Sequence, residues 1–500
     1  MLYGSNMQAN VKLNPLDPPT PAFDLNYRES TIHAANRQPL SERLMLLLSG
    51  DVLCLILALA IANLYSRAIA TQASGWQWSD FFLLPWVFIA WLGFALLNDL
   101  YDVVKVGSYR FNLGGLAIIA AQCALLPLAL FLFALPTSFV VFLTIFLVTA
   151  IALLAVWRVF CVWFFRSFGT HRLLIVGTNE RAQKTASLLA ALPGLNYTVL
   201  GFVNDNHESK DADDSIPMPS QQTNVIGEIA DLPRLAADWG ADEVVLAMDR
   251  PNDQSLFNLL LKCQSRGIRI SVAGEIYERM ERYVALDCID ASWVSEALKS
   301  TSILSRVHLF AKRVLDLTIG LLALPWVLLI MAAVAIAVRL DSPGSVFYCQ
   351  TRSGQGGKPF TIWKFRTMVN NAEREGKPQW AIKGDARITR VGRVLRKTRL
   401  DELPQLINIL KGDMSLVGPR PERPEFIRDL QRAIPFFEVR LVAKPGLTGW
   451  AQIHYDYGNT VEDAKHKLQY DLYYIRHWSI WMDLYVLYRT IYVVLMQKGL

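Results

Sequence analysis

Residues Lys312–Arg339 read KRVLDLTIGLLALPWVLLIMAAVAIAVR. The apolar run Val314–Val338 is long enough to cross a bilayer, which takes about 20 helical residues. Three features speak against a crossing. Pro325 lies at the middle, removes a backbone donor and crowds the preceding turn, so the helix is expected to break at mid-depth. Lys312 and Arg313 stand before the run and Arg339 after it, so flanking charge gives no orientation. A crossing would also separate the basic C-terminal part of the chain from the segments that precede the run. A re-entrant helix over 312–339, broken at Pro325 and returning to the same face, satisfies all three. A proline-kinked span is the alternative, because neighbouring helices can satisfy the freed carbonyls.

Upstream, residues 1–42 are polar and proline-containing and read as a disordered cytoplasmic tail. Residues 43–168 hold four apolar segments: Leu44–Tyr65, Phe81–Leu97, Leu116–Leu135 and Phe139–Phe165. They read as a four-helix transmembrane bundle. Arg28, Arg37 and Arg43 precede the first segment, Lys105 and Arg110 lie between the second and third, and Arg166 and Arg172 follow the fourth. This pattern puts both ends of the bundle in the cytoplasm. Asp51 interrupts the first segment. An intramembrane carboxylate invites a proton-relay reading. No second acid lies mid-span to continue one, so pairing within the bundle is the expectation.

From His171 the texture changes. Arg172–Val176 is a short apolar strand running into Gly177, and strands and helices then alternate to Val272. This pattern predicts a Rossmann-like α/β domain with a parallel sheet over 169–300. A dinucleotide fingerprint would read G-x-G-x-x-G; Gly177–Ala182 (GTNERA) keeps only its first glycine. A structural, oligomerising or regulatory role is therefore expected for this part.

The chain has 500 residues, 52% of them hydrophobic and 19% charged, with a formal net charge of +6. That composition excludes a disordered protein and argues against a purely water-soluble one. Six cysteines without a C-x-x-C pair exclude a disulfide scaffold and give no zinc motif.

The part after Arg339 carries the chemistry. Lys383–Arg399 holds seven basic residues, Arg387 and Arg399 among them, against the single acid Asp385. Such a stripe suits anionic lipid or phosphate ligands, and in a chain this apolar nucleic acid is not expected. Asp401 and Glu402 follow directly. Adjacent carboxylates beside a basic stretch suit a divalent cation and a phosphate, and a carboxylate can itself attack phosphorus. By themselves they also read as an exposed pair neutralising nearby arginines. The Gly418–Pro421 turn (GPRP) holds one arginine, Arg420, in a rigid frame suited to bidentate phosphate recognition. Gly354–Gly357 reads as a hairpin turn rather than a P-loop. The aromatic tail Tyr470–Tyr492 carries Asp483 and Arg489 and suits amphipathic helices in the interface plane.

Taken in order, Lys312-Arg313-x-x-Asp316, WKFRTM (Trp363–Met368), Asp385–Thr389, LDELPQL (Leu400–Leu406), GDMSLVGPRP (Gly412–Pro421) and KPGLTGWAQ (Lys444–Gln452) resemble the bacterial sugar transferases, polyprenyl-phosphate hexose-1-phosphate transferases. The blocks lie within 306–500, the expected catalytic domain, and the whole layout is similar to the large undecaprenyl-phosphate glucose or galactose phosphotransferases. The resemblance implies a membrane protein of the bacterial cytoplasmic membrane, its catalytic part on the cytoplasmic face. It implies transfer of hexose 1-phosphate from a UDP-sugar to undecaprenyl phosphate, releasing UMP, at the first membrane step of exopolysaccharide or capsule synthesis. Asp401 matches the family nucleophile, which forms an aspartyl-phosphosugar intermediate, and Glu402 its acidic partner. Mg²⁺ is the implied cofactor, held by Asp401 and Glu402. Arg420 matches a phosphate contact, with Lys364, Arg366, Arg387 and Arg399 as further substrate-binding residues. Lys312, Arg313, Asp316 and Pro325 belong to the re-entrant helix. UDP-glucose is the first donor expected and UDP-galactose the second. Leu324-Pro325 stands where many members have Ser-Pro, so the break is expected without a serine hydrogen bond. A membrane-anchored nucleotide-sensing scaffold is the reading from another class, and self-association is compatible with either.

Overall fold

The computed structural model describes residues 40–495 except 70–83, 103–104, 133–136, 168–170, 192–196, 206–223, 249–253, 290–292, 296–302, 370–384, 386, 456–457 and 459. The expected N-terminal tail falls almost wholly outside the described residues, as does Lys383.

Four helices come first: α1 (Leu40–Ile69), α2 (Leu84–Leu97), α3 (Tyr109–Leu132) and α4 (Thr137–Ser167). They pack around one apolar cluster that includes Leu55, Trp91, Ile119 and Phe146. Their outward positions are also apolar; Leu64 and Val156 are each 70% exposed. A helix apolar on all sides is one made for lipid or for a larger core. Leu44–Tyr65 and Val140–Ser167 are long and apolar enough to cross a membrane, as is Leu309–Asp341. Helix α2 has 14 described residues, and the start of the expected second span, Phe81–Leu83, lies outside them. Asp51 is paired, as expected: Arg158 from α4 donates to it through Nε and Nη2, and Tyr101 donates at 2.7 Å. Arg158 also reaches Leu100 O at 2.7 Å. A buried charge pair persists when its remaining hydrogen-bonding groups are satisfied in this way.

The α/β part runs β1 (His171–Val176), α5 (Glu180–Ala190), β2 (Tyr197–Asn204), β3 (Val225–Glu228), α6 (Leu232–Asp238), β4 (Glu243–Leu246), α7 (Gln254–Ser265), β5 (Arg269–Val272) and α8 (Ala273–Glu281). The sheet is parallel throughout, in the order β3-β2-β1-β4-β5. Side chains of β1 alternate between its faces. Leu174 and Val176 join a cluster with Leu232 of α6 and Leu256 of α7; Leu173 and Ile175 join Ala182 of α5 and Ile276 of α8. A sheet covered on both faces is what the strand–helix alternation predicts.

The C-terminal region starts with α9 (Ile303–Asp341), 39 residues long. The helix continues through Pro325, where the sequence reading expects a break. Proline removes one N–H and crowds one carbonyl, which bends a helix without having to end it. Its middle is exposed, with Leu322, Trp326 and Leu329 between 68% and 72%. Its two ends are docked on the rest of the region. Gly320 lies against Leu406 and Leu410, while Val334 and Val338 are buried with Phe365 and Leu395.

The hairpin β6 (Phe347–Ser353) and β7 (Pro359–Phe365) turns at Gly354–Lys358. Next come α10 (Arg390–Thr398), a 3₁₀ turn over Leu400–Gln405, α11 (Leu406–Lys411), β8 (Ser415–Val417), α12 (Pro424–Ala433), β9 (Gly446–Thr448), α13 (Trp450–His454), α14 (Val461–His477) and α15 (Ile480–Leu495). The aromatic tail forms the last two helices as far as Leu495, and much of it fills the core: Tyr474, Met482, Tyr485 and Val486 pack with Ile409, Leu416 and Trp450.

Candidate active site

The site is assembled where α10 ends. Thr389 caps this helix by accepting Gly392 N at 3.0 Å. A Cβ on Gly392 would stand 2.1 Å from Thr367 O, so only glycine allows the first turn to lie on that backbone. The helix stops at Arg399, which is left-handed with φ 56°. Left-handed residues are a common way to end a helix, though seldom arginine. The chain then winds tightly and presents Asp401 and Glu402 side by side.

Glu402 is the hub. Its Oε1 accepts from Lys364 Nζ on β7 at 2.8 Å and from Arg420 Nη2 at 2.7 Å, and Arg399 lies 4.0 Å from its other oxygen. Burial works against ionisation of Glu402, but the charges of Arg420 and Lys364 outweigh it and hold the carboxyl well below the usual range. Burial also lowers the Lys364 ammonium, against the pull of Glu402. Asp401 differs from its neighbour. It is half-buried, and among the described residues its carboxylate forms no hydrogen bond or ion pair. Burial first, and the charge of Glu402 second, push Asp401 up to about 6, against Lys364, Arg396 and Arg420. Two adjacent carboxyls thus have separated titrations, a pattern that assigns them different roles.

Arg420 is placed by the strand pair β8–β9. Gly418 N donates to Thr448 O and Gly446 N to Pro419 O, both at 2.9 Å. A Cβ on Gly446 would stand 2.1 Å from Gly418 N. Arg440 Nη2 donates to Arg420 O at 3.0 Å and to Asp471 at 2.8 Å. Burial raises Asp471 to about 6, against the pull of Arg440. Arg420 and Arg440 line a shallow pocket with Ser353, Pro419 and Glu422.

The structure therefore brings Asp401, Glu402, Lys364, Arg399 and Arg420 together. It does not bring Arg366 or Arg387 to the carboxylates. Arg366 is buried and donates to the carbonyls of Ser342 and Pro343 at 2.7 and 2.8 Å, holding the exit of α9. Arg387 pairs with Asp385 at 2.6 Å. Lys312, Arg313 and Asp316 place the elements that bear the site. Lys312 pairs with Asp483 at 2.6 Å, Arg313 donates to Ile409 O and Leu410 O at the end of α11, and Asp316 accepts from Ser415 Oγ and Leu416 N on β8. Arg440, Asp471 and Arg396 were missed as site residues. The first two are 31 positions apart with no local pattern. Arg396 belongs to the basic stripe that suits anionic lipid or phosphate ligands; it donates to Thr367 Oγ1 at 2.9 Å and its charge acts on Asp401.

The donors left for a divalent cation are the Asp401 oxygens and Glu402 Oε2, since Oε1 takes both Lys364 and Arg420. That set fits Mg²⁺, which takes one or two carboxylates and completes its shell with substrate phosphates and water. Among the described residues no group of three or more His, Cys, Asp or Glu forms a larger cage.

Comparison with known proteins agrees with this geometry. The bacterial sugar transferase family matches residues 307–497, and a family described as CoA-binding domain matches residues 97–273. A UDP-N-acetylgalactosamine-undecaprenyl-phosphate N-acetylgalactosaminephosphotransferase of Aeromonas hydrophila is 39% identical over 240 residues, 48% of this chain and 55% of that protein. A UDP-glucose:undecaprenyl-phosphate glucose-1-phosphate transferase of Xanthomonas campestris pv. campestris is 30% identical over 330 residues, 66% of this chain and 67% of that protein. One of the same name from Escherichia coli (strain K12) is 41% identical over 198 residues, 39% of this chain and 42% of that protein. The chain spans about half the length of the curated relatives it matches. With the family model matching residues 307–497, and with two thirds of the Xanthomonas protein matched, the chain belongs to the bacterial sugar transferase family.

Proposed function

We propose that this chain transfers hexose 1-phosphate from a UDP-hexose to undecaprenyl phosphate, giving undecaprenyl-diphosphate-hexose and UMP, as the first membrane step of exopolysaccharide or capsule synthesis. The observation that carries the reading is a carboxylate with no hydrogen bond or ion pair among the described residues, Asp401, beside a carboxylate that two cations hold fast. An oxygen of Asp401 attacks the phosphorus that bears the sugar; the bond from that phosphorus to the bridging oxygen breaks, and UMP leaves. A phosphate oxygen of undecaprenyl phosphate then attacks the same phosphorus and releases the Asp401 carboxylate. Both steps bring anions together, so charge neutralisation and in-line placement supply the catalysis. Arg420 and Lys364 are the cations placed for it, with Glu402 fixing their positions. Asp401 and Glu402 would hold Mg²⁺, which would add neutralisation of the donor diphosphate.

Glucose is the first donor proposed and galactose the second. The Aeromonas relative's name adds N-acetylgalactosamine to the panel. We place the four N-terminal helices across the bacterial cytoplasmic membrane, with the C-terminal region on its cytoplasmic face and α9 entering and returning. What supports the return is that both ends of α9 bind one region: Lys312 binds Asp483, and Asp341 accepts from Val391 N. A straight helix over residues 312–341 would be about 45 Å long, well beyond the ~30 Å hydrocarbon core.

The test is UMP release from UDP-glucose, UDP-galactose and UDP-N-acetylgalactosamine with undecaprenyl phosphate and Mg²⁺. Release with one donor, lost in Asp401→Ala, is the expected outcome. Folded protein that releases no UMP with any donor would sink the proposal and favour the scaffold reading.

A further inference from the structure

One residue of the α/β part touches both other parts of the molecule. Arg282 follows α8 and is left-handed, φ 58°, a conformation that a side chain other than glycine holds only when its surroundings impose it. Its guanidinium meets Asp102 at 2.8 Å and Asp99 at 3.4 Å, both just beyond α2. Asp99 is itself left-handed, φ 59°, and also accepts from Tyr485 of α15 at 2.8 Å. The backbone carbonyl of Arg282 accepts Trp450 Nε1 at 3.0 Å.

Trp450 is 4% exposed, packed by Tyr473, Tyr485 and His454. It follows Gly449, where a Cβ would stand 2.2 Å from Gly418 O. Gly418 opens the turn that carries Arg420, and Thr448 receives its N–H. A continuous series of contacts therefore runs from Asp99 and Asp102 through Arg282, Trp450 and β9 to Arg420 on Glu402. Nothing in the transfer chemistry requires this bond, and no sequence block contains Arg282.

We propose that Arg282 is a positioning residue for the transfer, seating Arg420 through the bond from its carbonyl to Trp450. The inference rests on the reaction proposed above. It makes the α/β part a brace between the membrane helices and the reactive turn, which is a use for that part that needs no bound nucleotide.

The experiment uses the full chain with three variants: Arg282→Ala, Trp450→Phe, which keeps an aromatic side chain and loses the indole N–H, and the double variant. Arg282→Ala keeps the carbonyl but releases it from the ion pairs to Asp102 and Asp99, and Trp450→Phe removes the N–H it accepts, so each is expected to lower kcat about tenfold. KM for the UDP-sugar should stay within about twofold. The double variant should be no slower than the slower single one, because both act on one linkage. Multiplying losses, a change in KM alone, or unchanged kcat in either single variant would overturn the proposal. Hydrogen exchange supplies a readout free of activity. Arg282→Ala should raise exchange at residues 414–421 and 446–452; unchanged exchange there would overturn the linkage. Wild-type protein that releases no UMP would defeat the reaction, and the exchange result would still decide the linkage.

Discussion

Asp401 and Glu402 are neighbours in sequence with opposite environments. Glu402 is held ionised by Arg420 and Lys364, while burial and Glu402 itself push Asp401 up to about 6. In the proposed reaction Asp401 attacks as a carboxylate, so the rate should fall about tenfold per unit as pH drops below 6. Removing the adjacent negative charge lowers the pKa of Asp401. Glu402→Gln should therefore be slower overall, with the acid limb of its residual rate moved to lower pH. A pH profile of UMP release checks this, and a limb moved upward would contradict it. The chemistry-bearing residues were legible at this scale because they sit in compact blocks. Roles inside a block were not. Arg366 lies two residues from Lys364, where a continuing strand would keep both on one face; β7 ends at Phe365, and Arg366 beyond it holds the end of α9 instead.

Secondary elements were read well where their signal is local. The sheet strands follow from short apolar runs, and the capped start of α10 from Thr389. Pro325 does not end α9 as expected, because one lost backbone bond bends a helix without ending it when both flanks are held. Gly392 shows an element fixed by a contact the sequence does not display. Gly392→Ala should destabilise the C-terminal region by about 1–3 kcal/mol through overpacking against Thr367. It should also slow UMP release at least tenfold, because α10 delivers Arg396, Arg399 and Asp401. Gly114→Ala in α3, with nothing within 4 Å of its Cβ, is the control and should be neutral or slightly stabilising. Thermal unfolding in detergent and the UMP assay measure both; equal behaviour of the two variants would refute the account.

At the scale of the whole molecule the issue is on which side of the membrane each part lies. Cys349 is free and exposed just beyond α9, and Val307 is 68% exposed near its start. With Cys288→Ser and Val307→Cys, a membrane-impermeant maleimide should label positions 307 and 349 from the same face. Labelling of inverted and right-side-out vesicles gives the answer, and opposite faces would end the re-entrant proposal. The sequence by itself determined the order of parts: apolar helices, a parallel α/β sheet, then a basic region with its motif blocks. Those signals repeat within a turn or two of chain, so composition and period carry them. Tertiary structure alone decided which distant groups meet. Asp51 pairs with Arg158, 107 positions away, and Arg282 binds Trp450, 168 positions away. The physical reason is that Asp51, Arg158 and Trp450 are buried and Arg282 half-buried, so these bonds form only after packing has excluded water and brought the elements together.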